Sequence, residues 1–60
     1  MAFGEEERNR AQAVFWFRKA AEMGLPGSQM TLGMCYENGQ GVEKNEVEAR
    51  RLYKLAEEND

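Results

Sequence analysis

The segment YENGQGVEKN, residues 36–45, decides how this chain folds. It places Gly39 and Gly41 one residue apart, between two stretches whose apolar residues recur at helical spacing. Glycine adopts positive φ angles without a Cβ penalty, so this pair can end one helix and redirect the chain into the next. A phosphate-binding loop would also need a preceding strand and more glycines, which Lys44 alone does not replace. We therefore predict a turn between two helices, with Val42 packed in the gap between them.

On either side of this turn, the apolar pattern predicts three helices in all. Residues 9–23 form a one-sided amphipathic helix, residues 26–38 are apolar around most of the helix, and residues 45–58 return to a single apolar stripe. Gly24 ends the first helix and Pro26 begins the second, so the connecting turn is tight and favours antiparallel neighbours. The second helix should be covered on more than one side, and its polar positions are Gln29, Thr31 and Glu37. The predicted fold class is all-α, with three antiparallel helices and no strand.

The first and third helices are related at an offset of 36 residues. Both are predicted to open with a capping box, in which a cap side chain and the residue three positions later exchange hydrogen bonds with the backbone. The boxes are Asn9 with Gln12 and Asn45 with Glu48, and the further matched pairs are Ala13 with Ala49, Trp16 with Leu52, Phe17 with Tyr53, and Ala20 with Ala56. Such a period between helical units is typical of an α-solenoid built from helix-turn-helix repeats.

In their order and spacing, these residues resemble the Sel-one-like repeat (SLR) family, whose members are related to the tetratricopeptide repeats. The resemblance rests on Trp16 in the first helix and on Leu32, Gly33, Tyr36, Gly39, Gly41, Val42, Asn45, Ala49, Tyr53 and Ala56 further along. It implies about one and a half repeats, with an acidic lead-in at 1–8, a half repeat at 9–24 and a full repeat at 25–60. Some secreted members have paired cysteines at the positions of Ala21 and Gln29. This chain has neither cysteine, so the disulfide-linked subtype is disfavoured.

Composition excludes several classes of chemistry. The 60 residues include one cysteine, Cys35, and no histidine, so an intramolecular disulfide cannot form and a zinc site would have almost no ligands. Cys35 has no histidine to activate it, and its apolar neighbours favour a buried role. We predict no catalytic, cofactor-binding or metal-binding residue. The net charge of -3 opposes nucleic-acid binding, and the longest apolar run, Ala13 to Phe17, is far too short to cross a membrane, so we expect a cytoplasmic protein.

The remaining apolar residues point to contacts with proteins. A chain this short buries a limited core, and association is one of the few remaining ways to stabilise it. The candidate partner-binding or self-association residues are Val14 and Phe15, which stand where the third helix has two arginines, and Met30 and Met34, for which core packing is the simpler interpretation. We predict a non-catalytic SLR-type adaptor or scaffold that binds a protein partner or a second copy of itself as a homo-oligomer. The alternative is a small acidic inhibitor or regulator of one enzyme or toxin.

Overall fold

A computed structural model describes residues 4–59 as three helices, with no strand in that range. They are α1 (Glu5–Glu22), α2 (Pro26–Asn38) and α3 (Glu46–Asn59). Helix α2 packs against both α1 and α3, while no Cα atom of α1 lies within 8 Å of one in α3. The arrangement confirms the predicted all-α fold and the expectation that the second helix is covered on more than one side.

The first helix begins earlier than the sequence pattern predicts. Helix α1 starts at Glu5, so Asn9 lies inside the helix, and the prediction that Asn9 is its N-cap is wrong. The N-cap is Gly4, which has no side chain to make a capping hydrogen bond. Three glutamates occupy the first turn instead, where negative charge interacts favourably with the positive end of the helix dipole. The predicted acidic lead-in is therefore partly helical, and its residues 1–3 lie outside the described residues.

The turn between α1 and α2 has the hydrogen bonds of a Schellman motif. Gly24 takes a φ of 86°, and its N–H donates to the carbonyl of Ala21 at 3.0 Å. The N–H of Leu25 donates to the carbonyl of Ala20 at 3.3 Å. These two bonds satisfy carbonyls that the helix end would otherwise leave unpaired, and they allow Pro26 to begin α2 at once.

The turn between α2 and α3 uses both glycines as predicted. Gly39 ends α2 with a φ of 69°, and Gly41 has a φ of 76°. A Cβ atom on Gly41 would lie 2.7 Å from the carbonyl oxygen of Arg10 and 2.9 Å from a methyl group of Val14, so the turn packs directly on α1. Val42 is half-buried against the core. The two glycines therefore have different roles. Gly39 provides the left-handed backbone conformation that ends α2, whereas Gly41 provides the same conformation and also allows the turn to approach α1 closely.

Half of the second predicted capping box forms. The backbone N–H of Glu48 donates to Oδ1 of Asn45 at 3.1 Å, as an N-cap requires. The Glu48 carboxylate does not return the bond to Asn45, because it accepts two hydrogen bonds from the guanidinium of Arg51, at 2.6 and 3.0 Å. The backbone N–H of Asn45 donates instead to the carbonyl of Tyr36 at 2.9 Å, which ties the start of α3 to the last turns of α2.

A single apolar core joins all three helices. Its buried members are Val14, Ala21, Leu32, Cys35 and Leu52, and half-buried Phe17, Tyr36 and Val42 pack against them. The prediction that Val14 belongs to a partner-binding surface is therefore wrong. Its counterpart in α3 is an exposed arginine, but the turn at Gly41 folds over this part of α1 and buries Val14 within the chain.

Polar side chains also link neighbouring helices. Gln29 is only 1% exposed, and its Nε2 donates to the carbonyl of Ala21 at 3.1 Å, which joins α2 to the end of α1. Arg18 donates to the Tyr36 hydroxyl at 2.9 Å, also between α1 and α2. Between α2 and α3, the Tyr53 hydroxyl donates to the Glu37 carboxylate at 2.7 Å.

Candidate interaction surfaces

An aromatic surface lies on α1 and at its C-cap, and it consists of Phe15, Trp16 and Lys19 of the helix together with Met23, all of them exposed. The Phe15 and Trp16 rings meet edge to face, with centroids 5.4 Å apart and an interplanar angle of 81°. The ammonium group of Lys19 lies 5.4 Å from the centroid of the Phe15 ring, within range of a cation–π interaction. These contacts join the two rings and the ammonium group into one contiguous exposed patch.

The exposure of Trp16 differs sharply from that of its repeat counterpart. Leu52 is 3% exposed because α2 covers it, whereas Trp16 is 65% exposed and no helix within residues 4–59 covers it. The sequence places Trp16 among the structural positions of the repeat, yet the packing expected of such a position is not made within the described residues. Within the α1 aromatic surface, Trp16 is therefore the residue whose counterpart in α3 is buried, whereas the counterpart of Phe15 is the exposed Arg51.

A second surface, the methionine surface, lies across α2 and α3. It is a shallow depression of about 570 Å³ lined by Met30, Met34, Arg50, Tyr53, Lys54 and Glu57. Met30 and Met34 are each 50% exposed, so of the two alternatives that the sequence left open, they lie at the surface instead of in the core. The Tyr53 ring packs against Gly33, where a Cβ atom would lie 2.8 Å from the ring. Its hydrogen bond to Glu37 raises the pKa of the phenol and fixes the ring as the floor of the depression.

A third feature is a groove between α1 and α3, which the apolar pattern of the sequence does not predict. It has a volume of about 490 Å³, its floor includes Gln29 and Leu32 of α2, and Arg18, Glu22, Glu48 and Arg51 are among its lining residues. The hydrogen bond from Arg51 lowers the pKa of Glu48, so this carboxylate stays ionised and paired. The spacing of Glu48 and Arg51, three residues apart on one helix, is the sequence signal that could have indicated this ion pair.

Reactive groups are few in the described part of the chain. Cys35 is a free, buried cysteine, and burial raises the pKa of its thiol, which leaves little of the nucleophilic thiolate. Among residues 4–59, no three histidine, cysteine, aspartate or glutamate side chains converge in a way that could hold a metal ion. None of the helices described in residues 4–59 combines the length and apolar character that a membrane span requires.

The fold and its exposed faces define a helical repeat protein of the α-solenoid class. A family model for the Sel1 repeat matches residues 2–25 and 26–60, so the chain belongs to the Sel1 repeat family, as its resemblance to the SLR pattern predicts. The chain is also similar to the chitin synthase regulator SKT5 of Saccharomyces cerevisiae, with 39% identity over 54 residues. That similarity covers 90% of this chain and only 8% of SKT5. No solved structure matches the chain significantly. The family and this relative support a protein-interaction or regulatory module.

Proposed function

We propose that this chain is a non-catalytic protein-interaction module of the adaptor or scaffold type, which binds a protein partner or a second copy of itself. The observation that carries the proposal is the exposure of Trp16 at a repeat position where Leu52 is buried. Covering Trp16 and Phe15 would remove a contiguous apolar patch from water, at about 25 cal/mol for each Å² buried. The division into a half repeat at 9–24 and a full repeat at 25–60, and a cytoplasmic location, belong to the same proposal.

The packing of α2 on α3 supports a particular kind of partner for the α1 aromatic surface. Gly33 allows α2 to approach α3 closely, because a Cβ atom there would lie 2.8 Å from the Tyr53 ring and 3.2 Å from the carbonyl oxygen of Ala49. On α1, Ala13 is the half-buried counterpart of Ala49. Phe17, the counterpart of Tyr53, already packs against the core of this chain, so Trp16 beside them is the residue that a partner would cover. We therefore propose that the partner offers a helix with a small residue at the point where it crosses α1.

The alternative function is inhibition or regulation of one enzyme or toxin, for which the acidic composition is the main support. Glu5, Glu6 and Glu7 are explained more simply, since they lie in the first turn of α1, where negative charge stabilises the helix. The name of SKT5 describes that protein as a regulator of an enzyme, and this chain corresponds to 8% of it. The alternative predicts a single enzyme bound in fixed ratio, with loss of that enzyme's activity on binding.

The experiment compares three forms of the purified chain: the unmodified protein, Phe15→Glu, and Val47→Glu as a matched control. Val47 is also exposed and apolar, but it lies on α3, outside the α1 aromatic surface. We expect a protein from the source cell to bind the unmodified and Val47→Glu forms and to be lost with Phe15→Glu. Because Trp16 is the only tryptophan, adding this purified partner should shift its emission to shorter wavelength. Equal binding by all three forms, or unchanged emission, would contradict the proposal.

A further inference from the structure

We propose that the methionine surface binds the methionine surface of a second copy, in a two-fold symmetric dimer that places Arg50 of each copy beside Glu57 of the other. This inference rests on the proposed function, because it names the partner for one of the two exposed faces. It also assigns a different partner to each face, because the α1 aromatic surface stays available to another protein when the methionine surfaces are paired.

The centre of the methionine surface is suited to burial against another protein. Met30 and Met34 lie one turn apart on α2 and are half exposed, and the half-buried Tyr53 ring lies beside them in the same depression. Methionine side chains are flexible and polarisable, so they can fit an irregular opposing surface. Tyr53 is held from below by Gly33 and at its hydroxyl by Glu37. A rigid floor with two adaptable side chains above it needs little reorganisation on docking.

Two of the three charged residues around this centre, Arg50 and Glu57, are complementary to each other. Arg50 and Glu57 are seven residues apart on α3, two helical turns, and therefore lie on the same side of the helix. Because α2 and α3 run antiparallel, Arg50 lies level with Met34, and Glu57 lies at the Met30 end, where it also lines a small cleft beside Pro26. Opposite charges therefore occupy the two ends of one apolar patch.

In the proposed dimer, the two-fold axis crosses α2 and α3 midway between Arg50 and Glu57. The second copy is therefore reversed, so that its Glu57 end lies over the Arg50 end of the first copy. Arg50 of each copy then faces Glu57 of the other, and the pairing occurs twice, while the methionines of the two copies meet beside these pairs, along α2. Self-complementarity of this kind is what a symmetric dimer requires of its single patch. Lys54 also lines the depression, but it lies about 100° around α3 from Tyr53 and thus on the edge away from α2. Its flexible stem allows the charged end to stay in water.

The test is a charge exchange followed by light scattering coupled to gel filtration. The unmodified chain, of 6.9 kDa, should elute as a dimer at about twice that mass. Arg50→Glu alone and Glu57→Arg alone each create two like-charge contacts, and we expect dimer affinity to fall on the order of a hundredfold. An equal mixture of these two variants restores opposite charges at both contacts, and so does the double variant. Both should therefore dimerise again.

Controls with the same charge changes lie in the turn before α3. Lys44→Glu and Glu43→Arg alter exposed residues outside the methionine surface and should leave the dimer intact. Helix content measured by circular dichroism confirms that each variant is folded. The inference is overturned by a monomeric unmodified chain, by single variants that remain dimeric, or by a mixture that stays monomeric. None of these outcomes bears on the α1 aromatic surface, so failure here is distinguishable from failure of the proposed function.

Discussion

Replacing Gly41 by alanine should destabilise the fold far more than the same change at Gly39. Both glycines have positive φ angles, 76° and 69° respectively, so alanine is disfavoured by its backbone conformation at either position. Their surroundings differ. The new Cβ at Gly41 would lie 2.7 Å from the carbonyl oxygen of Arg10, a backbone atom of α1 that cannot move by a simple side-chain rotation. At Gly39 the nearest atom is the Cβ of Lys44 at 3.4 Å, which is an ordinary contact.

The expected magnitudes follow from these two contributions. The left-handed conformation costs about 1–2 kcal/mol for alanine, and this is the whole effect expected at Gly39. Overpacking against α1 should add about 1–3 kcal/mol at Gly41, for a total of roughly 2–5 kcal/mol. A chain of 60 residues has a free energy of unfolding on the order of 3–9 kcal/mol, so Gly41→Ala should remove a large part of it.

Urea denaturation provides the measurement, followed by circular dichroism and by the emission of Trp16 at one fixed protein concentration. Gly24→Ala is a further control, because Gly24 has a φ of 86° and no atom within 4 Å of an added Cβ. It should resemble Gly39→Ala. Equal losses of stability at all three glycines would show that the turn does not press against α1, and the reasoning from the close approach at Arg10 would then be wrong.

Two further predictions concern contacts between neighbouring helices. The double variant Ala21→Cys, Gln29→Cys should form a disulfide, because some secreted members of the family have paired cysteines at these two positions, and the hydrogen bond from Gln29 to the Ala21 carbonyl shows that the two positions face each other across the turn. The oxidised form should then exceed the reduced form in stability by about 2.5 kcal/mol, measured by melting with and without reductant, and persistent free thiols after oxidation would contradict it. The hydrogen bond from Tyr53 to Glu37 raises the pKa of the phenol in the folded protein above its value in the unfolded chain, which is about 10. The bond therefore stabilises the fold fully below about pH 10, and this stabilisation is lost as the pH rises through the pKa of the folded state. The stability difference between the unmodified chain and Tyr53→Phe should therefore shrink in this alkaline range, and a constant difference would refute the contribution of this bond.

The turns could be predicted from sequence because glycine has a distinct conformational role. Gly24, Gly39 and Gly41 are the described glycines with positive φ, and each lies at a turn that the sequence identifies. The start of α1 at Glu5 could not be found from the capping pattern of Asn9, although the three consecutive glutamates were a usable signal. A polar residue such as Asn9 can lie at the N-cap or on the exposed side of a helix, so its presence alone does not locate the helix end.

Burial was harder to predict than secondary structure. Gln29 looks like a polar surface position by residue type, yet it is buried because its amide finds the Ala21 carbonyl. Conversely, Trp16 matches a core position of the repeat and is exposed. Helical periodicity shows which residues share a face, but the helix that covers that face belongs to tertiary structure. The groove between α1 and α3 was missed for the same reason, since it exists only once α2 has brought the two helices together.

The central position of α2 also has a kinetic consequence. Helices that meet in space are consecutive in the chain and are joined by short turns, so the loops that their contacts close are no longer than one pair of neighbouring helices. The entropic cost of closing such loops is small, and topologies of this kind fold in about microseconds to milliseconds. The chain should therefore complete its folding long before it meets a partner by diffusion, which means that the exposed rings of α1 are already in place at the first collision.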